Sequence, residues 1–596
     1  MRWTTFANRA GQSTGAGIAD PEVPEPRRKA IGPALQGLIA FIIYLAAFVA
    51  LSGHALFPHL NVPKVGQDKV DPNFYVWAWS WWPYALTHGL NPLHSHLIGA
   101  PGGYNLAWAT TSPAVAVLVW PITAAAGPIA AFNVTLLLAP PASAWAAFVA
   151  ARKLTGKFWP ALLAGPVYGF SSYELSHDAS GQPNLTVTLL PALMVYLVLL
   201  WWDGTLKRTG YVIWMTVAVA LEFYTFVEAF AEITIVGTAA LVVGLAVAGA
   251  AVRPKIARLA VYTAAAYAGA IVIASPYLFY ALRNFPKVFV RQKPQFSLDL
   301  ASLVIPGKHR LFGMNWLAAA SGHLRETASY IAIPMLVLFV LLAVFTWSSR
   351  LVRMLTALFA VIILLTLGPH LIIDSRREFT LPWSGIWRLP LLRSAEPVRF
   401  IDLGYLILAL GMAIWLSTVT VRRTVLWARW ALAVAALAAV FADVPSLASV
   451  VVPPDPPQYW EKANPQLKIS NDIPVFFTAG TYKKYVKPGE NVVILSHRGN
   501  AGMLFQAYTD FYFRIGGGFI NDALSRADAL PQDVGALRQP TRQRIQDFEN
   551  YARRAGVGAL IVENAWAEKW MYIFATLGFK STDTGGVTIF QVTPAK

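Results

Sequence analysis

The chain has 596 residues, 56% hydrophobic and only 13% charged, about half the ~25% charge content of soluble domains, which excludes a disordered chain and argues against a wholly soluble one. Cysteine is absent, which excludes disulfides, thiolate metal sites and a cysteine nucleophile. The 48 Lys and Arg exceed the 31 Asp and Glu, for a formal charge of +17. In so apolar a chain this excess points to cytoplasmic loops and anionic headgroups before nucleic acid.

Residues 1–32 form a polar, Pro-rich tail with Arg27, Arg28 and Lys29 near its end. The apolar run from about Leu35 to Leu56 is too long for a signal-peptide core. It reads as an uncleaved anchor with the N-terminus in the cytoplasm. Further apolar segments lie near 112–127, 129–151, 158–172, 184–202, 211–226, 229–250, 259–281, 331–347, 354–368, 402–419 and 429–448. Several are shorter than the ~20 residues of a straight span, so charge must decide the topology. Short basic loops at Arg152/Lys153/Lys157, Lys207/Arg208, Arg253/Lys255/Arg258, Arg350/Arg353 and Arg422/Arg423/Arg429 belong on the cytoplasmic side. Alternation then requires segment 112–127, with Pro113 and Pro121, to be interfacial or re-entrant. Eleven spans result, in a membrane domain over 33–449 with long outer loops 57–111, 282–330 and 369–400. Past the prolines of 453–457, residues 450–596 regain polarity. Strand-like runs at 491–495, 559–563 and 587–592 and helical patterns near 541–554 and 564–577 predict an outer α/β domain. The expected fold class is an α-helical polytopic membrane protein carrying a C-terminal extracytoplasmic α/β domain, in the inner or cytoplasmic membrane.

Four outer segments carry the candidate chemistry. In loop 57–111, Asp68 and Asp71 precede Phe74, Tyr75, Trp77, Trp79, Trp81 and Trp82, which suggests a helix lying in the membrane interface. Asp71 before Pro72 suits a helix cap; it equally suits a carboxylate held at the lip of the bilayer. Loop 171–185 groups Glu174, His177, Asp178, Gln182 and Asn184 without metal-ligand spacing, and His177, Gln182 and Asn184 are candidate substrate ligands. Glu222, Glu228 and Glu232 interrupt apolar sequence, where acids are expensive and face a cavity or a partner; Glu228 is the preferred ligand. Loops 282–330 and 369–400 contribute Lys308, Arg310, Arg388, Arg393 and Arg399 as candidate phosphate ligands, Arg being suited to bidentate phosphate contact. Glu396 is an alternative partner for Arg399. A carboxylate base and an arginine cluster at one membrane face fit a lipid-phosphate sugar, with phosphate as leaving group.

The order of pieces resembles the bacterial integral-membrane glycosyltransferases of the GT-C superfamily. These pieces are D-P-x-x-x-x-W-x-x-x-W-x-x-x-x-L-x-x-G-x-N-P from Asp71 to Pro92, A-P-G-G-Y-N-L at 100–106, Y-G-F-S-S-Y at 168–173, Glu228 in a short outer turn, and E-P-V-R-F at 396–400. The resemblance covers about 57–450 and extends more weakly into the outer domain. It implies a polyprenyl-phosphate sugar donor, a glycan, lipid or polymer acceptor, inverting transfer on the outer face, and an acidic catalytic residue in the first outer loop. By motif position that residue is Asp71, with Asp68 next. Many relatives carry a His-rich motif where this chain has Gly181-Gln182-Pro183-Asn184. Metal dependence varies across the superfamily; the sequence itself requires no cofactor and supports no divalent metal. Membrane lipids, but not nucleic acid, are expected partners. A transporter or flippase of lipid-linked glycans is the rival reading, although no internal repeat is evident; a scaffold that binds anionic polymer is the third.

Overall fold

The computed structural model describes residues 32–51, 60, 70–283, 297–306, 329–374, 376–386, 395–418, 423–441, 473–496, 500–517 and 542–592. Helices dominate up to residue 441. They are α1 (Pro33–Leu51), α2 (Val70–Thr87), α3 (Pro113–Ala126), α4 (Pro128–Thr155), α5 (Phe158–Gly169), α6 (Ser172–Ala179), α7 (Pro183–Thr186), α8 (Leu189–Trp202), α9 (Arg208–Thr225), α10 (Val227–Val247), α11 (Arg253–Arg283), α12 (Ile333–Phe345), α13 (Arg350–Thr366), α14 (Ile401–Ser417) and α15 (Arg423–Phe441). Each predicted apolar segment coincides with one of them, and 6 helical stretches among the described residues are long and apolar enough to cross a membrane. Large apolar side chains such as Leu118, Val272 and Trp427 are exposed, an arrangement suited to lipid and not to water. The protein is an integral membrane protein. At its centre lies α14: 89% of its apolar stretch is buried, against 17% for α1 and α10. At the crossing of α4 and α5 the backbones touch at Gly169, where a Cβ would meet Ala144 N.

The basic loops gather at one end of the bundle. Arg152 Nε donates to Gln36 Oε1 at 2.9 Å, joining the end of α4 to the start of α1. Lys153 pairs with Asp203 at 2.5 Å, and Lys157, Lys255 and Arg429 donate to the carbonyls of Ser417, Trp202 and Thr418. The start of α1 and the end of α4 therefore lie at the same end of the bundle. Helix α3 has 14 residues with Pro121 inside. It runs into α4 through Gly127.

The far end of the bundle carries the polar sites and a five-stranded mixed sheet in the order β6-β5-β7-β9-β8, built from β5 (Asn491–Leu495), β6 (Arg514–Ile515), β7 (Val557–Glu563), β8 (Lys580–Thr584) and β9 (Val587–Gln591). Strand β5 runs parallel to β6 and β7, and β9 antiparallel to β7 and β8. The helices α16 (Ala501–Tyr508), α17 (Arg542–Arg554) and α18 (Asn564–Thr576) accompany it. The long loop between α2 and α3 is built into this domain. Its short strands β1 (His94–Ser95) and β2 (Tyr104–Asn105) pair antiparallel, as do β3 (His370–Ile373) and β4 (Arg376–Thr380) further along the chain. Strands β1 and β2 are joined through Gly103 at φ 71°, where a Cβ would strike the Ser95 carbonyl. Ile98 then pairs with Ile515 of β6, Ile515 N donates to the Leu97 carbonyl at 2.9 Å, and Ala100 N to that of Ile515 at 3.1 Å.

The aromatic run of α2 departs from expectation. Trp77, Trp79 and Trp81 are fully buried; they pack inside the protein instead of lining the headgroups. Trp77 stacks on Trp81 with ring centroids 5.7 Å apart, and Phe511 of the sheet domain meets both. Helix α2 starts at Val70, so Asp71 lies in the first turn instead of capping it. Pro72 is tolerated there because N–H groups of the first turn have no intrahelical acceptor.

Candidate functional site

Asp71, at the start of α2, is half-buried. Its Oδ2 accepts a hydrogen bond from Gln182 Nε2 at 2.6 Å. Gln182 Oε1 lies 2.7 Å from His177 Nδ1, so this ring nitrogen donates. His177, in the last turn of α6, stands edge-on to Tyr173 one turn earlier, centroids 4.5 Å apart. Three of the residues read from sequence thus form one chain, Asp71–Gln182–His177, anchored on Tyr173. Helix α6 exists because Ser171 caps it, its side chain accepting from Glu174 N, which presents Tyr173 and His177 on one face.

Tyr173 also lines a cavity of about 330 Å³, its open mouth included, whose other walls are Asn184 and Thr188, Glu222, Phe226 and Glu232, and Asp402 with Leu403. Asn184 therefore faces this cavity, not Asp71. Beside Phe226, one of these walls, stands Arg399, in the single helical turn before α14. Its Nη1 forms an ion pair with Glu228 Oε2, and its guanidinium lies 5.4 Å from the centroid of the Phe226 ring. Glu396 N donates to Glu228 Oε1 at 2.7 Å. The acid that pairs with Arg399 is thus Glu228, and Glu396 supports that acid through its backbone. Both side chains of the pair are only 15% and 17% exposed, a setting in which geometry and extra hydrogen bonds decide whether a pair is favourable.

Electrostatics beside the chain is acidic. Burial, reinforced by Asp402, pushes the Glu174 carboxyl well above its usual range, and burial does the same to Asp178. Glu174 accepts from the Thr188 hydroxyl at 2.8 Å. Asp402 Oδ2 accepts from the Tyr168 hydroxyl at 3.0 Å. Asp402 escaped the sequence reading although it carried the same signal as Glu222 and Glu232, an acid opening an apolar segment. Asp68, Lys308, Arg310, Arg388 and Arg393 lie outside the described residues.

No family model and no curated protein sequence matches the chain. Solved structures do. The arabinofuranosyltransferase AftD from mycobacteria superposes with a TM-score of 0.55 at 15% identity, over 95% of this chain and 40% of that one. The chain thus spans well under half of AftD. The Archaeoglobus fulgidus oligosaccharyltransferase in its apo form gives a TM-score of 0.54 at 10% identity, over 91% of this chain and 71% of that one. Its complex with Zn and sulfate gives 0.50 at 11% identity, over 93% and 73%. The chain shares the fold of the arabinofuranosyltransferase and the oligosaccharyltransferase.

Proposed function

We propose that the protein is a glycosyltransferase that moves a sugar from a polyprenyl-phosphate donor to a hydroxyl of a glycan, lipid or polymer acceptor, with inversion, at the outer face of the cell membrane. The observation that supports this most is that two walls of one cavity, Tyr173 and Phe226, carry the chain that ends on the half-buried carboxylate of Asp71 and the guanidinium of Arg399. The GT-C fold, which the arabinofuranosyltransferase and the oligosaccharyltransferase share, supports glycosyl transfer as the reaction class. The domain reading follows: a cytoplasmic tail over 1–32, a membrane domain over 33–449 and an outer α/β domain over 450–596.

In the reaction the acceptor hydroxyl attacks the anomeric carbon from the face opposite the phosphate. The bond from that carbon to the phosphate oxygen breaks, and polyprenyl phosphate leaves with the electron pair. Asp71 takes the hydroxyl proton, a role worth ~10²–10⁴-fold. Gln182 and His177 hold its carboxylate in place. Arg399 uses one nitrogen on Glu228, and the remaining donors of its planar fork meet the phosphate as charge builds on it. Asn184 borders the cavity that leads to this phosphate.

The test is donor binding and turnover in nanodiscs for Arg399→Ala and Arg399→Lys. The alanine variant should lose donor affinity by about tenfold or more, and lysine should restore only part because it lacks the fork. Unchanged affinity in a folded alanine variant would remove Arg399 from the donor site and leave its bond to Glu228 purely structural.

A further inference from the structure

We propose that the cavity beside Arg399 receives the sugar ring of the donor, and that Glu222, Glu232 and Asp402 select that sugar by accepting its hydroxyls. The proposal rests on the glycosyl-transfer reading above and assigns its specificity. The three side chains are 2%, 5% and 7% exposed and come from three different helices, α9, α10 and α14. Each lines the cavity, and Glu222 Oε2, Glu232 Oε1 and Asp402 Oδ1 have no hydrogen-bond partner among the described residues. A buried acceptor without a donor is costly. Three in the walls of one cavity call for a ligand that brings several donors in different directions, as a sugar ring does.

A metal ion fits less well, because no group of three or more His, Asp and Glu among the described residues converges as ligands. The nearby Arg399 does not answer the demand either, since it pairs with Glu228. Phe226 and Leu403 supply apolar surface for the ring's C–H faces, and Asn184 a donor and an acceptor. Phe226 lies directly beneath the Arg399 guanidinium, so a phosphate held there delivers its attached ring into the cavity. Asp402 is oriented for the task, its other oxygen being held by Tyr168.

The test compares wild type with Glu222→Met, Glu232→Met and Glu232→Gln in nanodiscs. The probes are undecaprenyl phosphate alone and undecaprenyl phosphate carrying arabinofuranose, mannose or galactosamine. Methionine fills the volume and removes an unpartnered buried acid, so the unfolding midpoint should hold or rise. Wild type should bind one neutral-sugar donor far more tightly than the bare carrier. The methionine variants should lose that advantage by about tenfold or more while binding the bare carrier as before, and Glu232→Gln, which keeps an acceptor oxygen, should retain part of it. Equal changes for bare and sugar-bearing carrier, or no change at all, would overturn the assignment. A wild-type preference confined to galactosamine would overturn hydroxyl reading in favour of ammonium recognition. Wild type that binds no form of the carrier would overturn the glycosyl-transfer reading itself.

Discussion

Asp178 sits one residue after His177, almost wholly buried, and its Oδ1 finds no hydrogen-bond partner among the described residues. The unfolded chain releases this proton at an ordinary value of ~4, whereas burial makes the folded chain retain it well above that. The folded state therefore binds more protons, so this residue's contribution to stability falls as pH rises above the unfolded value. Asp178→Asn removes the titration. The variant should unfold at a higher temperature than wild type at pH 8, and the gap should narrow toward pH 5. Thermal unfolding in detergent at the two pH values measures it, and an equal gap at both would show that Asp178 does not titrate as its burial demands. At this scale the sequence disclosed the polar loop 171–185 and Asp71 by residue type alone. It did not disclose that Gln182 joins the two, because a contact between positions 111 residues apart leaves no local mark. Nor did it separate Asn184, which faces the cavity, from its neighbour Gln182, which faces Asp71.

The helices were legible because most apolar runs end in a proline, a glycine or a basic cluster, and strands β5, β7 and β9 because they are short apolar runs bounded by polar residues. Strand β6 has two residues and β8 reads Lys-Ser-Thr-Asp-Thr with four of its five residues exposed; neither has an apolar period to detect. The tryptophans of α2 pointed to a membrane boundary by composition, but the outer domain covers them, and composition does not tell lipid from a protein partner. Gln506 of α16 is the pin of that contact. Fully buried, it accepts from Trp77 Nε1 at 2.7 Å and donates to the carbonyls of Leu97 and Phe513, each at 2.7 Å. Gln506→Leu strands all three partners, at ~1–3 kcal/mol for each unsatisfied group. Since α2 carries Asp71, turnover should fall by about tenfold or more while donor affinity, which depends on Arg399, stays near wild type. Steady-state kinetics beside equilibrium donor binding separates the two. A parallel loss of both would mean that the outer domain supports the whole bundle and not the placing of Asp71.

The whole molecule is a bundle with a chemically divided axis: lysines and arginines that bond helix ends at one pole, carboxylates, Arg399 and the α/β sheet at the other. The topology proposed from the basic loops puts the first pole in the cytoplasm. Reporter fusions after Lys255 and after Lys580 should then report opposite faces of the membrane; the same face for both would invalidate the eleven-span reading. Helix lengths alone could not have settled it, because α12 has 13 residues and would be discarded by any length rule, while the bonds that tie the basic loops together become visible only in three dimensions.

The central claim is that Asp71 is the base of a glycosyl transfer, and the most direct measurement is release of polyprenyl phosphate from a polyprenyl-phosphate sugar by purified wild type and Asp71→Asn in the presence of acceptor glycan. Asparagine keeps the size of the side chain and an oxygen for Gln182 Nε2, so the loop stays in place and only the proton acceptor is lost. The account predicts turnover by wild type, a fall of ~10²–10⁴-fold or more in the variant, and undiminished donor binding by both. Near-wild-type release by Asp71→Asn would contradict it.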